Sequence, residues 1–261
     1  QLRAARAMLH YGEEPPICAN YGTGAVFFSG CTLRCRYCQN GVISTGGAGE
    51  ALTPEALRET FLRLIDEGAQ SIDLVTPTHF LPSILPALTP RLPVPVIYNC
   101  GGYESMEILH MLDGLVDIYL PDLKFYEAGT AKAYAGCPDY FTVAAKAIAE
   151  MHRQAGTLRW KGALLQRGLM VRHLVLPGHR KESIALLHQL AELLPADAFL
   201  LSLMGQYTPP EQHLEDPFLN RRIATFEYES VRKCAVQLGL NGYGQDRSSA
   251  TASYTPDFWI E

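Results

Sequence analysis

Six short apolar runs, at 25–29, 71–76, 94–99, 115–120, 169–176 and 199–203, recur along the chain with amphipathic stretches between them. This alternation constrains the fold more than any other feature. The runs are near-continuous rather than alternating with polar residues, as in strands buried on both faces. The stretches between them carry helix periodicity and helix punctuation. Thr53 offers a side-chain oxygen to cap a helix whose first residue is Pro54, and Gly68 suits its end. Within that helix Leu57, Phe61, Leu64 and Ile65 share one face. Further helices are expected at 105–112, 140–154, 181–194 and 227–238. A short one fits inside 81–88, where prolines limit its length. Strands that alternate with helices imply right-handed crossovers and a parallel sheet. On pattern alone this α/β sheet is either open and doubly wound or curved like a barrel.

Three cysteines, Cys31, Cys35 and Cys38, follow the first run at a Cys-x3-Cys-x2-Cys spacing. Thiolates gathered in one short loop suit an iron–sulfur cluster, whose irons they hold. Three thiolates serve three irons of a four-iron cluster and leave the fourth without a protein ligand. An open metal position is where a substrate or cofactor binds. A structural zinc site is the competing reading, with Cys18 or a histidine as fourth ligand. Zinc knuckles usually come in pairs well apart in sequence, and no second Cys-x2-Cys occurs here. A disulfide framework suits small secreted chains, not 261 residues with an odd count of 7 cysteines.

The stretch Gly30-Cys31-Thr32-Leu33-Arg34-Cys35-Arg36-Tyr37-Cys38-Gln39-Asn40 resembles the cluster loop of radical S-adenosylmethionine (SAM) enzymes, including the aromatic Tyr37 before the last cysteine. The resemblance implies a partial (β/α)6 TIM-like barrel of parallel strands, with the cluster loop after the first of them. It implies a [4Fe-4S] cluster on Cys31, Cys35 and Cys38, with SAM chelated at the open iron through its amino and carboxylate groups. Reduction would then cleave SAM to methionine and a 5′-deoxyadenosyl radical that takes a hydrogen atom from a substrate.

In parallel α/β folds ligands sit at the carboxyl ends of the strands, so the residues there are the candidates. Tyr37 either lies against the adenine of SAM or packs its own loop. The second run ends in Thr76-Pro77-Thr78-His79. Many radical SAM enzymes have a Gly-Gly-Glu run here that holds the SAM ammonium. This chain lacks it, leaving Thr76 and Thr78 as oxygen acceptors and His79 where the acid would stand. Asn99 resembles a contact to the ribose and methionine carboxylate, or makes a turn before glycine. Asp122-Leu123-Lys124 resembles the Asp-Leu-Lys of glycyl-radical-enzyme activating enzymes. Residues two apart at a strand end point the same way, so Asp122 and Lys124 either embrace the zwitterionic end of SAM or pair with each other. Arg172 and His173 interrupt an apolar run, and the period of two sends one inward and one outward. Arg172 matches an arginine that contacts the SAM carboxylate; the alternative is a buried partner for Asp122. Gln206 stands where some relatives place an adenine-contacting histidine.

A closer resemblance runs through His10–Ile17, Gly24–Cys38, Val75–His79 and 201–207. It is to proteins described as pyruvate formate-lyase activating enzymes of uncertain substrate. It implies hydrogen abstraction from a glycine of a glycyl radical enzyme, or from another peptide or small molecule, with flavodoxin or ferredoxin as reductant. It also implies a cysteine-containing extension ahead of Gln1. A chain that is 48% hydrophobic can bury one large core, so a single domain is expected: a lead-in at 1–24, a barrel core at 25–240 and a tail at 241–261. Acidic residues outnumber basic ones by 27 to 22, which weighs against nucleic acid or an anionic membrane as partner. No apolar run reaches ~18 residues, no signal peptide is visible, and Cys18, Cys100, Cys137 and Cys234 are scattered as in a reduced, cytoplasmic protein. The contrasting class is a zinc-stabilised binding module without catalysis.

Overall fold

A computed structural model describes residues 1–18, 21–210 and 212–244; most of the expected tail, 245–261, lies outside the described residues. The strands are β1 (Arg3–His10), β2 (Thr23–Phe28), β3 (Glu50–Ala51), β4 (Ile72–Val75), β5 (Val96–Cys100), β6 (Ile118–Pro121), β7 (Arg159–Lys161), β8 (Leu164–Leu174), β9 (Leu200–Met204) and β10 (Gly242–Gly244). They form one sheet in the order β10-β9-β8-β6-β5-β4-β2-β1-β3, with β7 attached to β8. The six expected runs are β2, β4, β5, β6, β8 and β9, and every neighbouring pair among them is parallel.

The helices are α1 (Pro15–Cys18), α2 (Gly41–Thr45), α3 (Pro54–Asp66), α4 (Leu81–Ile84), α5 (Met106–Leu112), α6 (Ala128–Ala135), α7 (Tyr140–Ala155), α8 (Arg180–Leu193) and α9 (Thr225–Gln237). Thr53 caps α3 by accepting from the Ala56 amide, and Leu57, Phe61 and Leu64 are its buried face. Ser105 does the same for α5 through the Ile108 amide. After α4 the backbone tightens into a 3-10 turn, Leu85–Leu88, where Pro86 cannot continue an α-helix.

The sheet is open but strongly curved. Six strand steps separate β1 from β9, nearly 30 Å in a flat sheet at about 4.8 Å per step. Glu14, four residues past β1, reaches about 13 Å at most from that strand. Yet Ser202 on β9 donates to the Glu14 carboxylate at 2.9 Å. The sheet must therefore wrap, and the segment after β1 crosses its interior. There Ile17 of α1 joins Ile97, Ile118, Leu120, Leu165, Met170 and Leu200 in an apolar plug. A much larger core lies between the outer strand faces and the surrounding helices. The result is a partial, TIM-like (β/α)6 barrel closed at one end by α1.

Several elements depart from expectation. The lead-in contains β1, antiparallel to β2. Its sequence, RAARAMLH, is broken by Arg3, Arg6 and His10 because one face is only partly covered, so it lacks the continuous apolar run of a central strand. Likewise β7 is exposed throughout and turns through Gly162 into an extended β8 that begins five residues earlier than expected. Helix α6 was hidden by its composition, AGTAKAYA, which is rich in alanine and nearly without large apolar residues. Strand β10, at one edge, and β1, between β2 and the other edge strand β3, lie outside the expected 25–240 core but belong to the same sheet.

Candidate active site

The carboxyl ends of β2, β4, β5, β6, β8 and β9 open into one cavity of about 290 Å³. Gly30 makes the entry possible at β2. Its φ of +88° is a left-handed conformation, and a Cβ there would stand 3.1 Å from His79 Nε2. The chain then turns through the cysteine loop, and Cys31, Cys35 and Cys38 all line the cavity. Tyr37 lines it too, but its ring is wedged edge-on against Phe125, Tyr134 and Tyr207. That packing fixes the loop against the barrel wall.

Facing the cysteines is a network of charges. Lys124 Nζ lies 2.5 Å from Asp122 Oδ2, and Arg172 Nε donates to Asp122 Oδ1 at 2.9 Å. Arg172 also donates to Asn99 Oδ1 at 2.6 Å, and Asn99 in turn donates to Asp73 Oδ2 at 3.1 Å. Arg172 therefore points inward, and His173 points outward, its Nδ1 2.6 Å from the Leu123 carbonyl. Burial pushes the Asp122 carboxyl up, but Arg172 and Lys124 outweigh it and hold it below its ordinary range. Burial pulls Lys124 down, and the charge of Asp122 more than reverses that. The ion-pair alternatives are the ones seen: Asp122 pairs with Lys124 and with Arg172, and all three line the cavity.

The Asp122–Lys124 turn is held by residues the sequence did not single out. The Tyr140 hydroxyl accepts from the Lys124 amide at 3.0 Å and lies 2.8 Å from both the Gly101 and Asp122 carbonyls. Gly102, at φ +80°, packs so tightly on the Asp122 carbonyl that a Cβ has no room. Thr76 also lines the cavity, with a left-handed φ of 58° that is unusual for a β-branched residue. Gln206 lines it as well, and its Oε1 is buried without a hydrogen-bond partner. Thr78 does not line it. The left-handed turn at Thr76 sends the chain into a 3-10 turn, where the Thr78 hydroxyl donates to Glu104 at 2.9 Å and accepts from Tyr98 at 3.2 Å. His79 instead approaches the Ser29 carbonyl, Nε2 to O 2.7 Å.

Glu13 and Glu14, from the segment after β1, and His10, the last residue of β1, also line the cavity. Asp73 on β4 lies behind them, fully buried. Sequence reasoning passed over these groups, although an aspartate inside the buried run Ile72-Asp73-Leu74-Val75 is the same signal that pointed to Arg172.

The donor set fits an iron–sulfur cluster. Burial pushes the Cys35 thiol up to about 12, against the pull of Lys124. Cys38 is also raised by burial, with a hydrogen bond to Ser44 opposing. Buried thiols of this kind become thiolates when a metal supplies the compensating charge. Among the described residues no three His, Cys, Asp or Glu side chains converge as around a single ion. Cys18 is turned away, its thiol 3.1 Å from the Glu13 carbonyl, so it is no fourth ligand. Three thiols that line one cavity without converging as around a single ion suit a multi-iron body with an open corner better than one zinc ion.

No family model matches the chain. An uncharacterized protein of Methanocaldococcus jannaschii is 26% identical over 243 residues, 89% of this chain and 67% of that protein. A radical SAM methyltransferase from Sphaerobacter thermophilus superposes with a TM-score of 0.57 at 14% identity, covering 85% of this chain and 66% of that one. A spore photoproduct lyase variant with bound AdoMet and dinucleoside spore photoproduct gives a TM-score of 0.52 at 14% identity, covering 83% of this chain and 74% of its own. The fold is the one these two solved structures share. The chain spans just under two thirds of the methyltransferase's length. Among the described residues no helix is long and apolar enough to cross a membrane.

Proposed function

We propose that this chain is a radical SAM enzyme. The observation that carries the reading is the meeting of three thiols with Asn99, Asp122, Lys124 and Arg172 in one cavity at the strand ends of this fold. Cys31, Cys35 and Cys38 would each hold one iron of a [4Fe-4S] cluster. Such a cluster supplies one electron to SAM bound at its open iron, giving methionine and a 5′-deoxyadenosyl radical that abstracts a hydrogen atom from the substrate. The protein's own part is positioning and exclusion of water. The Asp122–Lys124 pair presents both charges to the zwitterionic methionine moiety, and Arg172 offers a guanidinium edge for a carboxylate. Asn99, Thr76 and Gln206 supply neutral acceptors and donors around them. Tyr37 seals the loop from solvent on its far side.

The finer reading is activation of a glycyl radical enzyme by abstraction from a partner's glycine, which the Asp122-Leu123-Lys124 run favours. Abstraction from another peptide or a small molecule uses the same residues. Flavodoxin or ferredoxin would be the reductant, and the chain would work in the cytoplasm.

Anaerobic reconstitution with iron and sulfide, followed by reduction and addition of SAM, tests the proposal. The wild type should release 5′-deoxyadenosine, and Cys31→Ala, Cys35→Ala and Cys38→Ala should each lower that release by at least 100-fold. Wild-type protein that retains zinc, takes up no iron and leaves SAM intact would sink it. Deuterium transfer from candidate substrates into 5′-deoxyadenosine then identifies the substrate. A persistent glycine-centred radical in a mixed-in partner marks the activating-enzyme reading.

A further inference from the structure

The half of the cavity farthest from the cysteines is walled by carboxyl groups. From the cysteine end the order is Cys35, Lys124, Asp122 and Arg172. Arg172 holds Asp122 on one side and stands 3.7 Å from Glu13 Oε2 on the other. Beyond it lie Glu14 and Asp73, 2% and 0% exposed. Glu14 accepts from Ser202, and Asp73 Oδ2 accepts from Asn99. The second oxygen of Asp73, Oδ1, is buried without an N–H or hydroxyl donor, and beside Asn99 it is a protonated Glu13 carboxyl that can hydrogen-bond to Asp73. Such an oxygen is costly to bury unless a proton or a cation compensates it. Glu13 is near enough for its carboxyl to interact directly with those of both Asp73 and Glu14.

Fully ionised, the carboxyls would outnumber the cations: Glu13, Glu14, Asp73 and Asp122 face Arg172 and Lys124, and Lys124 is engaged by Asp122. His10, 4.0 Å from Glu13, is pushed toward neutrality by its own burial. Buried charges are normally paired. The far half of the cavity therefore has room for a further cation, since its one guanidinium, Arg172, is already shared among Asp122, Asn99 and Glu13.

We propose that Glu13, backed by Asp73 and Glu14, binds a primary ammonium group of the substrate. This rests on the reading of the cavity as a radical SAM site, in which SAM occupies the cysteine end and the substrate the other. An ammonium brings three N–H donors and one positive charge to a wall of acceptors. In the protein alone, burial and the neighbouring carboxyls hold Glu13 well above its ordinary range, and burial puts Asp73 at about 7. Arrival of the ammonium would ionise the pair and release a proton.

Titration calorimetry on the full chain, in two buffers of different ionisation enthalpy, tests this. The probes are butylammonium and its neutral counterpart 1-butanol, with and without SAM present. Butylammonium should bind with proton release and at least tenfold more tightly than 1-butanol. Glu13→Gln should weaken it at least tenfold, and Asp73→Asn should abolish the proton release. Nα-acetyl-lysine amide in a parallel arm, binding more tightly than butylammonium, would mark a peptide source for the amine. Equal binding of the alcohol, no saturable binding of the amine, or indifference to both substitutions would overturn the proposal. Should either variant fail to fold, the comparison of amine with alcohol on the wild type still decides. SAM binding, read in the same instrument, separates the two claims: its loss beside intact amine binding contradicts the radical SAM reading, not the amine site.

Discussion

Arg172 is a guanidinium inside an apolar strand, and its surroundings explain why it is tolerated. Asp122, Asn99 and Glu13 all meet it. Removing one partner of a buried ion pair leaves the others uncompensated, at a cost of about 3–5 kcal/mol. Arg172→Met should therefore lower stability by that order in a denaturant titration, and Arg172→Lys, which keeps charge but loses the planar fork, should lower it less. Glu104 offers a test of opposite character. It is 3% exposed, and burial raises its carboxyl from 4.5 to about 7 despite hydrogen bonds from Thr78 and Tyr98. A raised acid favours the folded state while protonated and loses that advantage as pH climbs through its folded value. Glu104→Gln should thus gain stability relative to wild type between pH 4.5 and 7, by ~3 kcal/mol in total. A wild-type-to-variant difference that is flat across this range would contradict the assignment. Asp122, Lys124 and Arg172 were legible in the sequence because charges at or within buried runs demand an explanation. Asp73 obeyed the same rule. Glu13 and Glu14 could not be found that way, because they lie in an irregular segment whose position depends on how the sheet curls.

Parallel central strands are legible because both faces are buried and their sequence is continuously apolar. Edge and antiparallel strands such as β1 and β7 have one face near solvent and lose that signal. The short helix α1 is invisible to periodicity, yet it carries Ile17, 2% exposed, into the apolar plug of the barrel. Ile17→Ala should cost about 2–5 kcal/mol, as large-to-small changes in closed cores do. It should also loosen Glu13 and Glu14, which precede it on the same segment. Gly102 shows how an element boundary supports the site. Gly102→Ala forces a left-handed residue with a Cβ against the Asp122 carbonyl. The expected result is a displaced Asp122–Lys124 turn and at least a tenfold loss of SAM affinity, with helix and strand content retained by circular dichroism.

Across the whole molecule, the choice between an open doubly wound sheet and a barrel-like one was not contained in the pattern of runs. It is decided by long-range contacts: Ser202 with Glu14 across the interior, and Arg172 with Glu13. The resemblance of the cysteine loop pointed to the barrel, and the curl of the sheet brings its strand ends to a common cavity. The proposed function depends at this scale on a cluster with one iron left for SAM. Mössbauer spectroscopy of anaerobically reconstituted protein, before and after SAM is added, tests that most directly. The account predicts four irons per chain, of which one changes its spectrum on SAM addition while three do not. Four irons indifferent to SAM, or a single zinc in their place, would contradict it.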